Sequence, residues 1–401
     1  MDISHRKVSK RVLFKDQNGN PLVNKNVHVQ QTKHEFLFGC GAFNFMPYVV
    51  DGKEEFKPVT ESWLEIFNYG TLPFYWGQFE KEEGKPNTDA LMKTAKYLQS
   101  KNVTVKGHPL CWHTACADWL MQYDNKTILE KQLARIDREV NGFKGVIDMW
   151  DVINEVVIMP IFDKYDNAIT RLCKEHGRVG LIKKVFDEAH SCNPDAVLLL
   201  NDFNTSTNYE ILIDGCLNAG VPISAIGIQS HQHQGYWGRE KVEEVLARFD
   251  HFGLPIHFTE NTLISGEIMP AHIVDLNDWQ VEKWPTTPEG EERQAREIEE
   301  MYRILFSHPL VQAITTWDYR DGAWLHAPSG FIREDNSLKP SYKMLKKLVK
   351  EEWWTDTNVQ TDSEGYAVIE AFKGDYDFAV DDLTSKAKLS DNDSIVIVLS
   401  K

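Results

Sequence analysis

The sequence predicts an α/β fold: a (β/α)₈ TIM barrel with a small β-lobe built from the two chain termini. Eight short apolar runs recur between residues 34 and 350, and amphipathic stretches separate them. Eight parallel strands that alternate with helices are expected to close into such a barrel. Near both ends of the chain, apolar and polar residues alternate instead, which indicates paired strands.

The eight apolar runs are expected to be the barrel strands. They are, in order, Phe36–Gly39, Glu65–Asn68, Val103–Lys106, Val146–Met149, Ala196–Leu199, Ala225–Ile228, Pro255–Phe258 and Ala313–Thr316. Helices are predicted between them, among others at Asp89–Gln99, Thr127–Val140, Gly180–His190, Val242–Phe252 and Glu291–Ser307. A doubly wound open sheet is the alternative, but no glycine-rich phosphate loop follows the first strand.

We expect three segments along the chain. Residues 1–33 form an N-terminal β segment, residues 34–350 the barrel, and residues 355–401 a C-terminal β segment. Each terminal segment is too small to fold alone, so the two are expected to pair into one lobe. Asn18-Gly19 between alternating runs indicates a hairpin in the first segment, and residues 394–399 are predicted to form the last strand.

Composition and charge exclude several classes of function. The 401 residues are 42% hydrophobic, enough for a large core, and the net charge is −16. Such a chain repels phosphate backbones and anionic lipids, so we expect neither a nucleic-acid nor a membrane partner. Six cysteines are too few for a disulfide scaffold. Localisation stays open between secretion, with a signal peptide removed, and the cytoplasm, and so does the oligomeric state.

Polar and aromatic residues follow the predicted strands, where barrel enzymes carry their chemistry. Glu155 ends the fourth strand and Glu260 the seventh, so both carboxylates are expected at the barrel mouth. Cleavage of a glycosidic bond needs such a pair, one protonated and the other ionised. A single glutamate at a strand end is more often a surface charge or part of an ion pair. Two of them among His, Gln and Trp favour catalysis.

The residues around this pair suit a sugar site. Asn154 is expected to hydrogen-bond a sugar hydroxyl, and His231 to keep Glu260 ionised and oriented. Trp317 and Trp324 offer flat faces for pyranose rings, with core packing as the alternative. The other candidate binding residues are His108, Trp112, His113, Gln229 and Tyr75.

Cys111, His113 and Cys116 form a Cys-x-His-x-x-Cys pattern that is also typical of zinc ligands. A structural zinc site needs four ligands, usually from two cysteine pairs, and no second pair matches this one. We therefore predict no metal site. His108 and His113 are expected to line the sugar cleft.

The strand-end motifs resemble those of glycoside hydrolase family 10, whose best-known members are endo-β-1,4-xylanases. The motifs are Gly107–His113, Trp150–Glu155, Leu200–Asn204, Gly227–His231, Phe258–Glu260, Ile314–Trp317 with Trp324, and Lys339–Tyr342. The resemblance covers residues 34–350 and implies a retaining hydrolase of xylan or a related β-1,4-linked glycan that requires no cofactor. It also implies that Glu260 is the nucleophile and Glu155 the acid/base, with carboxyl groups about 5–5.5 Å apart.

The chain departs from the family pattern at the second strand. The family's Glu-Asn-x-Met-Lys-Trp is replaced by Thr71–Trp76, which puts Leu72 and Tyr75 where Asn and Lys bind sugar. The nucleophile motif Thr-Glu-Leu-Asp ends in Asn261-Thr262 here. The same machinery acting on a different or decorated β-glycan, or on short oligosaccharides, is therefore the alternative function. A non-catalytic carbohydrate-binding barrel is a further alternative, disfavoured because both glutamates are present.

Overall fold

The structure is a computed structural model that describes residues 1–391 and 396–401. Within these residues the strands are β1 (Lys7–Asp16), β2 (Asn26–His34), β3 (Leu37–Gly41), β4 (Tyr69–Pro73), β5 (Thr104–His108), β6 (Met149–Asn154), β7 (Val197–Asp202), β8 (Ala225–Gln232), β9 (Ile256–Leu263), β10 (Val311–Thr316), β11 (Asp356–Gln360), β12 (Tyr366–Phe372), β13 (Gly374–Val380), β14 (Leu383–Leu389) and β15 (Val396–Leu399). The α-helices are α1 (Phe45–Val49), α2 (Lys57–Leu64), α3 (Trp76–Phe79), α4 (Thr88–Ser100), α5 (Asn125–Phe143), α6 (Ala168–Cys192), α7 (Thr207–Asn218), α8 (Gly238–Phe249), α9 (Pro288–Ser307) and α10 (Pro340–Lys347).

Strands β3 to β10 form a closed parallel barrel in the order β10-β3-β4-β5-β6-β7-β8-β9, all within the described residues. The predicted α/β barrel is therefore confirmed. Its interior is packed rather than open, because Tyr69, Met149, Leu199, Ala225 and Ala313 form an apolar cluster there. The helices cover the outside through a much larger apolar core.

The predicted helices match the structure well where a side chain caps the first turn. The α5 helix begins after Asp124, whose carboxylate accepts a hydrogen bond from Thr127 N–H, and α9 begins after Thr287, whose hydroxyl accepts from Gly290 N–H. The predicted stretch 180–190 is the second half of α6, which is broken at Gly177 with φ 71°. The α8 helix ends at Phe249, earlier than predicted, and continues as a 3-10 turn to Phe252.

The prediction of the second strand at Glu65–Asn68 is wrong. Those residues form the turn after α2, and the strand is β4, which starts at Tyr69. Ile66 and Phe67 are buried in the core beneath the helices, so the run is apolar without being a strand. Asn68 accepts a hydrogen bond from Phe38 N–H through its side chain at the start of the barrel. An apolar run by itself does not distinguish a buried turn from a buried strand.

The terminal segments build two facing sheets. One has the order β12-β1-β15 and the other β11-β2-β13-β14, so each sheet combines strands from both ends of the chain. Val12 and Phe14 of the first sheet share a core with Val29 and Phe378 of the second, and the rings of Phe14 and Phe378 lie 5.9 Å apart.

The predicted hairpin is present only as a short turn, with one antiparallel bridge between Lys15 and Pro21, and it does not join β1 to β2. The turn exists, with Gly19 at φ 84°, but β1 pairs with β12 and β15 while β2 pairs with β11 and β13. The long-range partners occupy both edges of each strand, so the turn carries the chain from one sheet to the other. Of the predicted last strand, residues 394 and 395 lie outside the described residues, and β15 begins at Val396.

The lobe packs against the barrel at the N-terminal ends of its strands. The Arg6 guanidinium donates hydrogen bonds to the carbonyl oxygens of Phe306, His308 and Val311, and Lys33 Nζ donates to Thr104 Oγ1. Since β5 begins at Thr104 and β10 at Val311, the lobe lies on the face opposite the strand ends that carry the polar motifs. No helix within the described residues has both the length and the apolar character that a membrane crossing requires.

We expect removal of the chain after Trp354 to lower the melting temperature by more than about 5 °C, because it exposes the buried faces of β1 and β2. Differential scanning calorimetry of the truncated and full chains measures this. Val368→Ala in the full chain is the control, because Val368 is 59% exposed in the same lobe and is expected to change little. An unchanged melting temperature after truncation would contradict the role of the lobe in stability.

Candidate active site

Glu155 follows directly after strand β6, in a strained backbone conformation. Its φ of 59° lies in the left-handed region that residues other than glycine rarely adopt. Its N–H donates a hydrogen bond to the carbonyl oxygen of Asn201 at 2.9 Å, which ties the turn to the end of β7. Backbone strain of this kind is typical of functional sites, where the surrounding structure holds it in place.

The carboxyl group of Glu155 accepts hydrogen bonds from three side chains. Oε1 lies 3.0 Å from Gln229 Nε2 and 3.2 Å from Asn154 Nδ2, and Oε2 lies 3.0 Å from Trp112 Nε1. Burial raises the pKa of Glu155 to about 8, and the negative charge of Glu260 adds to this shift. A carboxyl group with this pKa is protonated at neutral pH and is able to donate a proton.

Glu260 lies on β9 and is 4% exposed. Its Oε1 accepts a hydrogen bond from Asn201 Nδ2 at 3.0 Å, and its Oε2 lies 3.0 Å from His231 Nε2. Burial alone would raise the pKa of Glu260, but the nearby His108, the hydrogen bond from His231 and the charge of Lys106 together hold it below its usual value. Glu260 is therefore ionised at neutral pH, whereas Glu155 is protonated. This difference in protonation state is what a nucleophile and a general acid require.

A chain of side-chain amides joins the two carboxyl groups. Asn154 Oδ1 accepts from Asn201 Nδ2 at 2.8 Å and from Gln229 Nε2 at 3.1 Å. Asn201 also binds Glu260, and Gln229 also binds Glu155. The ends of β6, β7, β8 and β9 each supply one or more members, so the barrel itself fixes the position of one carboxyl group relative to the other.

A buried charged network lies beneath Glu260. Lys106 Nζ and His108 Nδ1 lie 2.6 Å and 2.7 Å from the same oxygen of Asp151, and His108 Nε2 faces Glu260 at 3.8 Å. Burial would raise the pKa of Asp151, but Lys106 and His108 lower it, so the group is ionised. The carboxylate then accepts the Nδ1 proton of His108 and fixes the orientation of that ring.

Three residues of this arrangement are absent from the sequence-based set. Asn201 is the next-to-last residue of β7 and lies within the motif Leu200–Asn204, so the strand-end rule was sufficient to single it out. Asp151 and Lys106 lie inside strands that are otherwise apolar, and neither is exposed to solvent. Only their mutual pairing, which the sequence does not encode locally, reveals their place in the site.

The predicted aromatic residues come together around the two glutamates. The ring of Tyr75 lies 5.8 Å from that of His108 and 5.7 Å from that of Trp112. The ring of Trp317 contacts His108 at 5.3 Å, and Trp324 lies 4.7 Å from His231. Burial and the carboxylates of Glu260 and Glu155 raise the pKa of Tyr75, so its hydroxyl stays neutral and is able to donate a hydrogen bond.

Two sequence-based expectations about the cleft need correction. His113 does not line it: the side chain is 1% exposed and its ring packs 4.6 Å from Phe162, behind Trp112. Leu72 is fully buried in the large apolar core, so it does not stand in the cleft in place of a sugar-binding asparagine. Side chains alternate along β4, so that Tyr69 faces the interior of the barrel whereas Leu72 does not. Only Tyr75 of the altered pair lies beside the glutamates.

The Cys-x-His-x-x-Cys pattern does not gather into a set of metal ligands within the described part of the chain. Cys111 and His113 are buried, and Cys116 is partly buried. Burial raises the pKa of Cys116 to about 11 and lowers that of His113 to about 4. The two groups are therefore a neutral thiol and a neutral imidazole at pH 7.

Comparison with known proteins identifies relatives of this chain. The chain matches the family model described as Glycosyl hydrolase family 10 over residues 74–347. It is 25% identical over 306 residues to an endo-1,4-beta-xylanase/feruloyl esterase of Xylanibacter ruminicola, a match that covers 68% of this chain but only 40% of that protein. Endo-1,4-beta-xylanase B of Thermotoga neapolitana is 25% identical over 318 residues, which are 74% of this chain and 84% of that one. The solved structure of a GH10 protein from Paenibacillus barcinonensis has the same fold, with a TM-score of 0.65 at 21% identity over 79% of this chain and 95% of its own.

Proposed function

The chain belongs to glycosyl hydrolase family 10, and on this basis we propose that it cleaves β-1,4-linked xylan or a related plant polysaccharide with retention of configuration. The observation that carries the proposal is the pair Glu155 and Glu260, whose pKa values are shifted in opposite directions and whose carboxyl groups are joined by buried amides. The xylanase relatives support xylan as the substrate.

In the proposed first step, Glu155 gives its proton to the glycosidic oxygen while the carboxylate of Glu260 attacks the anomeric carbon. The bond between that carbon and the oxygen breaks, the leaving sugar departs as an alcohol, and a glycosyl ester forms on Glu260. The charge of Glu260 is then neutralised. Since that charge had raised the pKa of Glu155, the pKa of Glu155 falls and the group becomes a base.

In the proposed second step, the Glu155 carboxylate removes a proton from water as the water oxygen attacks the anomeric carbon. The ester bond to Glu260 breaks, and the released sugar has the original β configuration. Both glutamates return to their starting protonation states. The second candidate function, action on a decorated β-glycan or on short oligosaccharides, is favoured by Tyr75, which lies beside the glutamates where the family has a lysine.

The proposal is tested by incubating the protein with a panel of plant polysaccharides, including linear xylan, and sizing the products. We expect xylo-oligosaccharides or xylose. If only another β-glycan yields products, the second candidate function is supported instead of xylan cleavage. If no β-linked glycan yields products, the proposed hydrolase activity is contradicted. Proton NMR of fresh products is expected to show the β anomer first, and initial appearance of the α anomer would contradict retention.

Tyr75→Ala is expected to raise KM by about three- to tenfold, with a much smaller change in kcat, because it removes a ring contact for the bound sugar without touching the proton donor. Steady-state kinetics on oligosaccharides measures both constants. Tyr75→Phe, which keeps the ring, is the matched control and should retain most of the affinity. A fall in kcat without a change in KM would place Tyr75 in the chemical step instead.

The pH dependence of kcat/KM is expected to be a bell whose limbs follow the two glutamates. Activity requires Glu155 protonated, so it is lost as the pH rises through about 8. It requires Glu260 ionised, and because its pKa is lowered, the acid limb lies below the usual range of a glutamate. With Glu155→Gln the alkaline limb should disappear for an activated aryl glycoside. An alkaline limb that persists in this variant would assign it to another group.

A further inference from the structure

Two loops meet above the barrel mouth on one side of the site. The β6 loop (residues 155–167) and the β9 loop (residues 264–287) are joined by Lys164, whose Nζ lies 2.6 Å from Asp275 Oδ2 and 2.7 Å from Asp278 Oδ1. Strands β7 and β8 lie between β6 and β9 in the barrel. The loops after those two strands are short, residues 203–206 and 233–237, so the ion-paired loops span this quarter of the mouth.

The β9 loop is a packed structure that lies over the end of β8. Ile264, Met269 and Trp284 form an apolar cluster of their own together with Ala327. Met269 N–H donates to the carbonyl oxygen of His233 at 2.8 Å. Gln234, from the loop after β8, donates to the carbonyl oxygens of Pro270 and Ile273 at 3.0 Å and 2.8 Å. These contacts hold the segment that carries Asp275 in one position.

The β6 loop begins at Glu155 and carries the other end of the ion pair, Lys164. Phe162 packs on the buried ring of His113 at 4.6 Å, and Tyr165 packs on Phe162 at 4.8 Å, so the residue beside Lys164 is anchored to the body of the barrel. Arg178 donates to the carbonyl oxygens of Val156 and Val157 and holds the base of the loop. Burial raises the pKa of Tyr165, so its hydroxyl is neutral at pH 7.

We propose that Lys164, with Asp275 and Asp278, closes the leaving-group side of the cleft, so that the chain cleaves short oligosaccharides or chain ends in preference to the interior of long chains. The proposal rests on the proposed function, because it assigns the leaving group to the side of Glu155. The attacked sugar lies over Glu260, among Trp317, His108 and Tyr75, which belong to the opposite half of the mouth. The leaving sugar therefore extends beyond Glu155, toward the ends of β7 and β8 that the two loops cover.

The test compares long and short substrates. For each variant, kcat/KM is measured on soluble linear xylan and on xylotriose, and the ratio of the two is the readout. Lys164→Glu places three acidic side chains together and is expected to raise the ratio by about tenfold. Adding Asp275→Lys and Asp278→Lys to this variant restores opposite charges and is expected to return the ratio to the wild-type value. A role confined to stability would lower kcat/KM on both substrates together and leave the ratio unchanged in every variant.

Lys183→Ala is the matched control, because Lys183 forms an ion pair with Asp187 on α6, Nζ lying 2.9 Å from the carboxylate, and has a similar exposure to Lys164. Its ratio should equal that of the wild type. Hydrolysis of an aryl β-xylobioside tests the proposed hydrolase activity independently of the ratio of kcat/KM values. Hydrolysis of this compound with an unchanged ratio in Lys164→Glu would overturn the closed cleft alone, and no hydrolysis of any of these substrates would overturn both proposals.

Discussion

Glu260→Gln is expected to lower kcat on an aryl β-xylobioside by at least about 10⁴-fold, because a side-chain amide does not form the glycosyl ester. The aryl leaving group needs little protonation, so the loss reports on the nucleophile rather than on the acid. The glutamine has nearly the same shape as the glutamate and is able to keep contacts to Asn201 and His231. Steady-state kinetics gives the effect.

Glu243→Gln is the control for this substitution, because Glu243 is an exposed residue on α8 that is about half accessible to solvent. Its activity should equal that of the wild type. The melting temperature of Glu260→Gln should confirm that the variant is folded. Activity within tenfold of the wild type in a folded Glu260→Gln protein would remove the nucleophile role from Glu260.

Glu155→Ala is expected to reduce hydrolysis of natural oligosaccharides by about 10²–10⁴-fold, the usual contribution of a general acid. The glycosyl ester should still form from an activated aryl glycoside, but its hydrolysis should be slow because no base activates the water. Azide, a small nucleophile that needs no base, should enter the space left by the carboxyl group and restore turnover. The product should be a β-glycosyl azide.

Azide added to the wild-type protein serves as the control for this experiment and should have little effect, since the Glu155 side chain occupies the space. Glu155→Gln is a second comparison, because it removes the proton donor while it fills that space. Azide should therefore rescue Glu155→Ala far better than Glu155→Gln. Cleavage of natural oligosaccharide by Glu155→Ala at the wild-type rate would assign the acid to another residue.

The sequence was sufficient to predict the barrel and the position of Glu155 and Glu260 at its mouth, because local sequence patterns specify both features. An apolar run followed by polar residues is the pattern of a buried strand that ends at an open barrel face, and Glu155 and Glu260 both follow it. The aromatic residues and amides of the site lie at the same ends. Their convergence follows from closure of the barrel, which makes strands distant in sequence neighbours in space.

The errors concern features that depend on distant partners. The pairing of β1 with β12 joins Lys7 to Phe372, and no local pattern identifies such a partner. The ion pair of Lys106 and Asp151 is not predictable from local sequence for the same reason, because each is a single charged residue within an otherwise apolar strand. Leu72 was misjudged because a motif alignment gives a position along β4 but not the face of the strand on which the side chain lies.

The most direct test of the account is covalent trapping with a dinitrophenyl 2-deoxy-2-fluoro-β-xylobioside. The fluorine slows both steps, and the activated leaving group lets the first step proceed, so the glycosyl ester accumulates. Mass spectrometry of a peptic digest is expected to find the fluorosugar on the peptide that contains Glu260, and Glu260→Gln should remain unlabelled. Attachment of the sugar to any other residue, or steady hydrolysis of the unfluorinated substrate by a protein that is never labelled, would contradict the proposed double displacement at Glu260.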